Sequence, residues 1–228
     1  FIILTAFVFG SVADLYSAQP LKSVDLRFQD AKTDEIPDFQ RHVVPLMSRL
    51  GCNGRACHGS FQGRGGFQLS LFGYDFAIDH QALFDEDRRR VNIQSPDESL
   101  IIYKPTDELE HEGGKRYEKG GWEHNLIRQW IATGAKFEEA SISKLLDVKI
   151  TPDEIQFSKP GQKVQLKVIA VWEDGTREDV TPLARYYTND NLIADVNQDG
   201  LVTSGESKGD THIVISVSYT HLTLPTKA

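Results

Sequence analysis

Sulfur is scarce in this chain: 228 residues include two cysteines and one methionine. Two cysteines rule out a scaffold of several disulfides. No second Cys/His pair stands at finger spacing, which argues against a structural zinc site. Basic residues are in deficit as well, 25 Lys and Arg against 33 Asp and Glu, for a formal net charge of -8. That argues against non-specific nucleic-acid binding, which favours a basic surface. It is compatible with steering toward a basic redox partner, and equally with solubility alone. No apolar run is long enough for a transmembrane helix. Against these absences, 39% hydrophobic and 25% charged residues are ordinary for a packed globular protein. The length suits one or two domains.

The longest apolar run is at the start. Residues 1–10 (FIILTAFVFG) are almost wholly apolar, with no Met and no positively charged n-region. Residues 1–18 read as part of a signal peptide, with Ala13 and Ala18 as candidate cleavage positions. An exported protein is expected, periplasmic or at the cell surface, and membrane-anchored if the segment is retained.

The two cysteines are close together. Cys52-Asn53-Gly54-Arg55-Ala56-Cys57-His58 reads C-x4-C-H. Two thiols followed at once by an imidazole can hold a c-type haem: each thiol adds to a porphyrin vinyl group, and the adjacent His ligates the iron. The common spacing places two residues between the cysteines. Four require a loop, and Gly54 is the residue expected to permit it. A disulfide between Cys52 and Cys57 is the main alternative in an exported chain, with zinc binding and free thiols behind it.

Residues 19–37 read mainly as a lead-in, with Val24, Leu26 and Phe28 alternating as in a short strand. From 38 to 50, Phe39, Val43, Leu46, Met47 and Leu50 share one helical face, interrupted by Pro45 and ended by Gly51. The glycine-rich stretch 59–66 lacks the Lys-Ser or Lys-Thr of a phosphate loop and suits close passage of backbone past a flat cofactor. The run 85–90 (DEDRRR) reads as a solvated charged face. Trp122, Leu126, Ile127, Trp130 and Ile131 recur at helical spacing, with Gly134 as the stop. Residues 138–146 read as a linker. Beyond it the period becomes two, and Asp174-Gly175 and Asp199-Gly200 signal hairpins, which together point to a β-sandwich.

The first half resembles the planctomycete-type cytochrome c-like family. The matching stretches are 39–50 (FQRHVVPLMSRL), 51–60 (GCNGRACHGS), 67–76 (FQLSLFGYDF), 96–104 (PDESLIIYK) and 130–135 (WIATGA). The resemblance implies one haem c per chain, held by Cys52 and Cys57 with His58 as proximal iron ligand. Related domains carry a Met-Pro-Pro segment that supplies the second axial ligand. Here the corresponding segment is Leu109-Glu110-His111-Glu112-Gly113, without Met, so His111 is the expected distal ligand, with His124 as the other candidate. Met47, on the approach helix, is poorly placed for the opposite haem face. Lys115 and Arg116 are expected near the haem propionates, and His42 and His80 on the surface.

The second half resembles the bacterial Ig-like group 2 family, through Ile150-Thr151-Pro152, Val164 to Val168, Asp174-Gly175-Thr176, Asp179-Val180-Thr181 and Gly200-Leu201-Val202. The resemblance implies a spacer or adhesion module without catalytic residues. Residues 218–228 (SYTHLTLPTKA) resemble translated adapter sequence, so a non-native tail is expected in place of the last strand.

The expected fold is therefore two-domain: a mainly α cytochrome c-like domain over 38–140, then an all-β Ig-like sandwich over 141–217, truncated at its end. The expected function is electron transfer with an unidentified redox partner protein. An extracellular ligand for the Ig-like half is a further partner, and no small-molecule substrate is evident. The alternative is a surface interaction protein whose first half is a disulfide-held or haem-sensing accessory.

Overall fold

A computed structural model describes residues 19–84, 90–139, 143–217 and 220–227. The apolar start, residues 85–89 of the charged run and residues 140–142 of the expected linker lie outside them, as do 218, 219 and 228 of the expected tail. Among the described residues no helix is long and apolar enough to cross a membrane.

The expected mainly α first domain is not what the chain builds. Among the described residues regular structure is mostly β: ten strands in three small sheets, against five α-helices of 4 to 11 residues. The helices are α1 (Val24–Arg27), α2 (Val44–Arg49), α3 (Phe76–Leu83), α4 (Leu100–Tyr103) and α5 (Trp122–Ala132). Glycines and prolines cut the apolar periodicity after two or three turns, and helices so short are marginal without tertiary packing. Most of the first half is consequently turn and irregular chain.

Local chemistry explains where the helices fall. Asp38 caps the approach segment, its carboxylate accepting from Arg41 N at 2.7 Å. The first turn, Phe39–Val43, is π-helical, and α2 follows with Pro45 in its first turn, where a missing N–H is least harmful. Gly51, at φ 79°, ends it. The expected strand near Val24 is instead α1. Val24 and Phe28, four apart, are fully buried, while Leu26 is exposed. Helix α5 buries Leu126, Ile127, Trp130 and Ile131 and ends before Gly134, as its spacing predicts.

In the second half β1 (Leu145–Thr151), β4 (Lys167–Trp172) and β5 (Arg177–Asp179) form an antiparallel sheet in the order β1-β4-β5. A second sheet runs β3 (Lys163–Gln165), β8 (Leu201–Ser204), β7 (Ala194–Val196). A third runs β2 (Ile155–Gln156), β10 (Thr220–Lys227), β9 (Asp210–Val217), β6 (Arg185–Thr188). The two Asp-Gly pairs form the β4–β5 and β7–β8 turns, with Gly175 at φ 81° and Gly200 at φ 78°. The described part of the expected tail is extended chain. Strand β10 pairs antiparallel with β9 from Thr220↔Val217 to Lys227↔Asp210. The physical reason is that the edge of β9 presents a row of backbone donors and acceptors that an adjacent extended segment completes.

The halves share one apolar core, which runs from Val24, Phe28 and Phe39 through Trp130 to Val168, Leu183 and Val217. Leu21 bridges to Glu178 at the edge of β5. His42, expected at the surface, is 5% exposed and Glu178 is 1% exposed. His42 Nδ1 accepts from Asp38 N at 2.8 Å, so Nε2 carries the hydrogen and donates to Glu178 Oε1 at 2.7 Å. Arg27 pairs with the same carboxylate and with Glu35 at 2.6 Å. Arg41 lies over the Trp172 ring at 4.7 Å and reaches Asp174 at 2.5 Å.

Burial pushes the Glu178 carboxyl up, but His42 and Arg27 pull it further the other way, to about 2. On acidification the unfolded chain takes up this proton first. The stabilisation is therefore complete above pH 4.5, the group's ordinary value, and is lost as pH falls toward 2. The shift corresponds to about 3 kcal/mol. Denaturant unfolding measured across this window should show the loss in the natural sequence, and Glu178→Gln should flatten the profile.

Candidate functional site

The C-x4-C-H stretch leaves α2 as a chain of tight turns. Cys52 N donates to Met47 O at 2.9 Å, Cys57 N to Gly54 O at 3.0 Å, and His58 N to Cys52 O at 2.9 Å. Gly51 is in the left-handed region where the helix ends, as expected, whereas Gly54, expected to permit the loop between the cysteines, is outside it. Inside the turns lies Asn53, fully buried. Its Nδ2 donates to Ser48 Oγ at 2.7 Å and its carbonyl accepts from Phe72 N at 3.1 Å. Gly59 closes the loop against it: a Cβ on Gly59 would lie 2.0 Å from Asn53 O.

Facing this loop are α4, the 105–117 segment and the side of α5. Tyr117 pins them together, its hydroxyl donating to Ile101 O at 2.8 Å. Between the two walls is a cavity of about 420 Å³, within the usual span of small-molecule sites, roughly 300–1,000 Å³. Cys52, Cys57, His58 and His111 all line it, with an apolar lining that includes Leu50, Phe67 and Ile127. Met47 lines it too, where the sequence reading placed it out of reach of the distal face.

The two imidazoles are held alike. His58 Nδ1 lies 3.1 Å from both Arg64 O and Phe67 O, and His111 Nδ1 lies 3.0 Å from Gly114 O. A carbonyl only accepts, so each Nδ1 carries the hydrogen and each Nε2 is left as a bare lone pair, the form that ligates metal. The ring centroids are 6.4 Å apart and the planes 13° from parallel. Burial, more than the nearby Arg90 and His111, lowers the His58 pKa and keeps the ring neutral.

Both cysteines are free thiols. Burial pushes Cys52 up to about 11, although Arg116 draws it the other way. Arg116 lies 4.0 Å from Cys57 Sγ, at the thiol end of the cavity, and Lys115 pairs with Glu118 at 2.5 Å. The cations along the cavity wall are Arg64, Arg90 and Lys104, and neither Lys115 nor Arg116 is among its lining residues. Arg90, read from the sequence as part of the solvated run 85–90, is instead 6% exposed and donates to Ala82 O at 2.9 Å and Gly66 O at 3.0 Å.

The remaining histidines lie elsewhere. His124 is buried on α5 and is not part of the cavity lining. His80, expected at the surface, donates from Nε2 to Ala135 O at 2.8 Å and packs 4.7 Å from Phe84 and 5.2 Å from Phe39. Among the described residues no three His, Cys, Asp or Glu side chains converge as a metal site. Two imidazoles leave most of a metal's coordination sphere to a cofactor, and a planar macrocycle bound through two thioethers fits this donor set.

No family model and no curated protein matches this chain. Among solved structures it is similar to "Crystal structure of the S-layer protein SbsC domains 4 and 5", at 17% identity and TM-score 0.31. It is likewise similar to "Structure of the S-layer protein SbsC, domains 5-6", at 19% identity and TM-score 0.32. Each match covers 38% of this chain, and 53% and 44% of the two structures, so the chain spans about half of their length.

Two measurements test the loop. Gly59→Ala should lower stability by about 1–3 kcal/mol, the usual effect of overpacking, read as a shift in the denaturation midpoint. In the haem-free protein, alkylation of Cys52 should be slow at neutral pH and rise about tenfold per pH unit toward 11, since only the thiolate reacts. Rapid alkylation of Cys52 at pH 7 would contradict the raised pKa.

Proposed function

We propose that this chain is an exported one-electron carrier with one covalently bound haem. The observation that carries the reading is the paired histidine arrangement. His58 and His111 each have Nδ1 held by a backbone carbonyl, line one cavity and lie 6.4 Å apart by ring centroids, with both thiols on the same wall. Cys52 and Cys57 would form the thioethers, and His58 and His111 would be the axial ligands. The haem supplies a one-electron couple at its iron.

This chain's own residues would set the properties of that couple. Leu50, Phe67 and Ile127 exclude water from the cavity. The carbonyls on Nδ1 fix each ring and raise its basicity. Histidine rather than Met on the second face favours a lower reduction potential. Arg64, Arg90 and Lys104 offer cations to the carboxylates of the macrocycle. In this reading the partner is a redox protein, and the β half fixes the carrier's orientation or meets an extracellular ligand.

The test is a pyridine haemochrome spectrum of the full chain after export in a host that matures c-type cytochromes. A c-type band that survives acid-acetone extraction is expected. It should become extractable, or disappear, in Cys52→Ala/Cys57→Ala. A colourless, well-folded product under working maturation would sink the reading. It would leave a surface interaction protein whose β half carries the function.

A further inference from the structure

The His111 turn has a feature that ligand identity alone does not require. Gly114 N donates to His111 O at 2.7 Å, and His111 Nδ1 donates back to Gly114 O at 3.0 Å. Backbone and ring are thus clamped onto the same residue, and the imidazole folds over Gly113. A Cβ on Gly113 would lie 2.8 Å from His111 Cε1, 3.2 Å from Nε2 and 3.3 Å from Arg116 Nη2. Arg116 has little room to give way, because its backbone N is tied to Pro105 O at 2.7 Å and its guanidinium rests against Cys57 Sγ.

We propose that Gly113 is a positioning residue for His111: its missing side chain leaves the space that the Cε1–Nε2 edge of the imidazole fills. The inference rests on the haem reading above and adds to it a determinant of the sixth coordination position. The constraint is one of contact and not of backbone conformation. Gly113 is outside the left-handed region, whereas the neighbouring Gly114 is inside it at φ 69°. Gly114 is the opposite case, since a Cβ there would meet nothing within 4 Å. An alanine at 113 is therefore tolerated by the backbone and refused by the ring. An alanine at 114 would strain the backbone that holds the ring.

The experiment compares Gly113→Ala and His111→Ala with the natural sequence as full-length, matured proteins, by the electronic and EPR spectra of the ferric haem. Gly113→Ala should lose most of the low-spin signal, as His111→Ala does, with the covalent haem content unchanged. Added imidazole should restore the signal in both. A Gly113→Ala protein as fully low-spin as the natural sequence overturns the proposal. If His111→Ala itself stays low-spin, the ligand assignment fails separately, and Met47 on the same cavity wall becomes the candidate to replace next. The positioning claim is then decided in the haem-free protein by imidazole ¹⁵N shifts. His111 should show the Nδ1–H tautomer in the natural sequence and lose that signature in Gly113→Ala. Unchanged shifts overturn the proposal, and the same measurement decides it if Gly113→Ala does not mature.

Discussion

One buried carboxylate holds the architecture together. Glu178, on a short strand of the β half, receives Arg27 from the lead-in and His42 from the segment that starts α2. Taking a carboxylate and a guanidinium out of water is expensive, and the pairing offsets that expense only when geometry and further hydrogen bonds are good. Here those conditions are met in part: Arg27 also meets Glu35 and His42 is oriented by the Asp38 backbone N–H, while among the described residues Glu178 Oε2 and Arg27 Nε find no hydrogen-bond partner. Such an arrangement specifies one docking of the two halves, because any slip leaves a charge buried without its partner. The β half is consequently packed against the first half.

That packing reaches the cavity. Arg185 on β6 lies 5.1 Å over the ring of Phe72, a residue held at φ 59°, which most side chains avoid. Phe72 N donates to Asn53 O, inside the C-x4-C-H turns. Arg49, at the end of α2, meets Glu123 on α5 at 3.3 Å and Asp199 in the β7–β8 turn at 3.4 Å. Short helices cannot keep two imidazoles in register by their own stability. The sheet edges and turns do it for them, which is why a chain so poor in long helices still presents an ordered pair of rings.

This dependence also marks where the sequence was legible. Contiguous features were read directly: the Cys52–His58 motif, the face of α5, the Asp-Gly turns and the end of α2 at Gly51. His111 was found only through a family pattern, yet it lines the same cavity as the motif. Features made by distant pairs were missed. His42 and His80 looked like surface residues, because nothing adjacent shows that Glu178 and Ala135 will meet them. The mainly α expectation failed for a related reason. Apolar spacing over 38–50 and 122–131 marks helical faces, but it does not report how much of the intervening chain glycine will hold in turns. Val24, Leu26 and Phe28 fit a period of two and a step of four equally well, and burial against α5 decided for the helix.

The two histidines differ in what a disturbance would cost them. His58 follows Cys57 directly, meets two carbonyls and packs 4.7 Å from Phe67, so its ring is fixed from several sides. His111 is fixed within its own four-residue turn, and the surrounding chain is tied back mainly by Lys104 to Glu110 O at 3.1 Å and Arg116 N to Pro105 O. Local opening of that turn would sacrifice few buried contacts, whereas moving His58 would unseat the motif and Asn53 beneath it. The ring beside the thiols is thus held from more sides than the ring over Gly113.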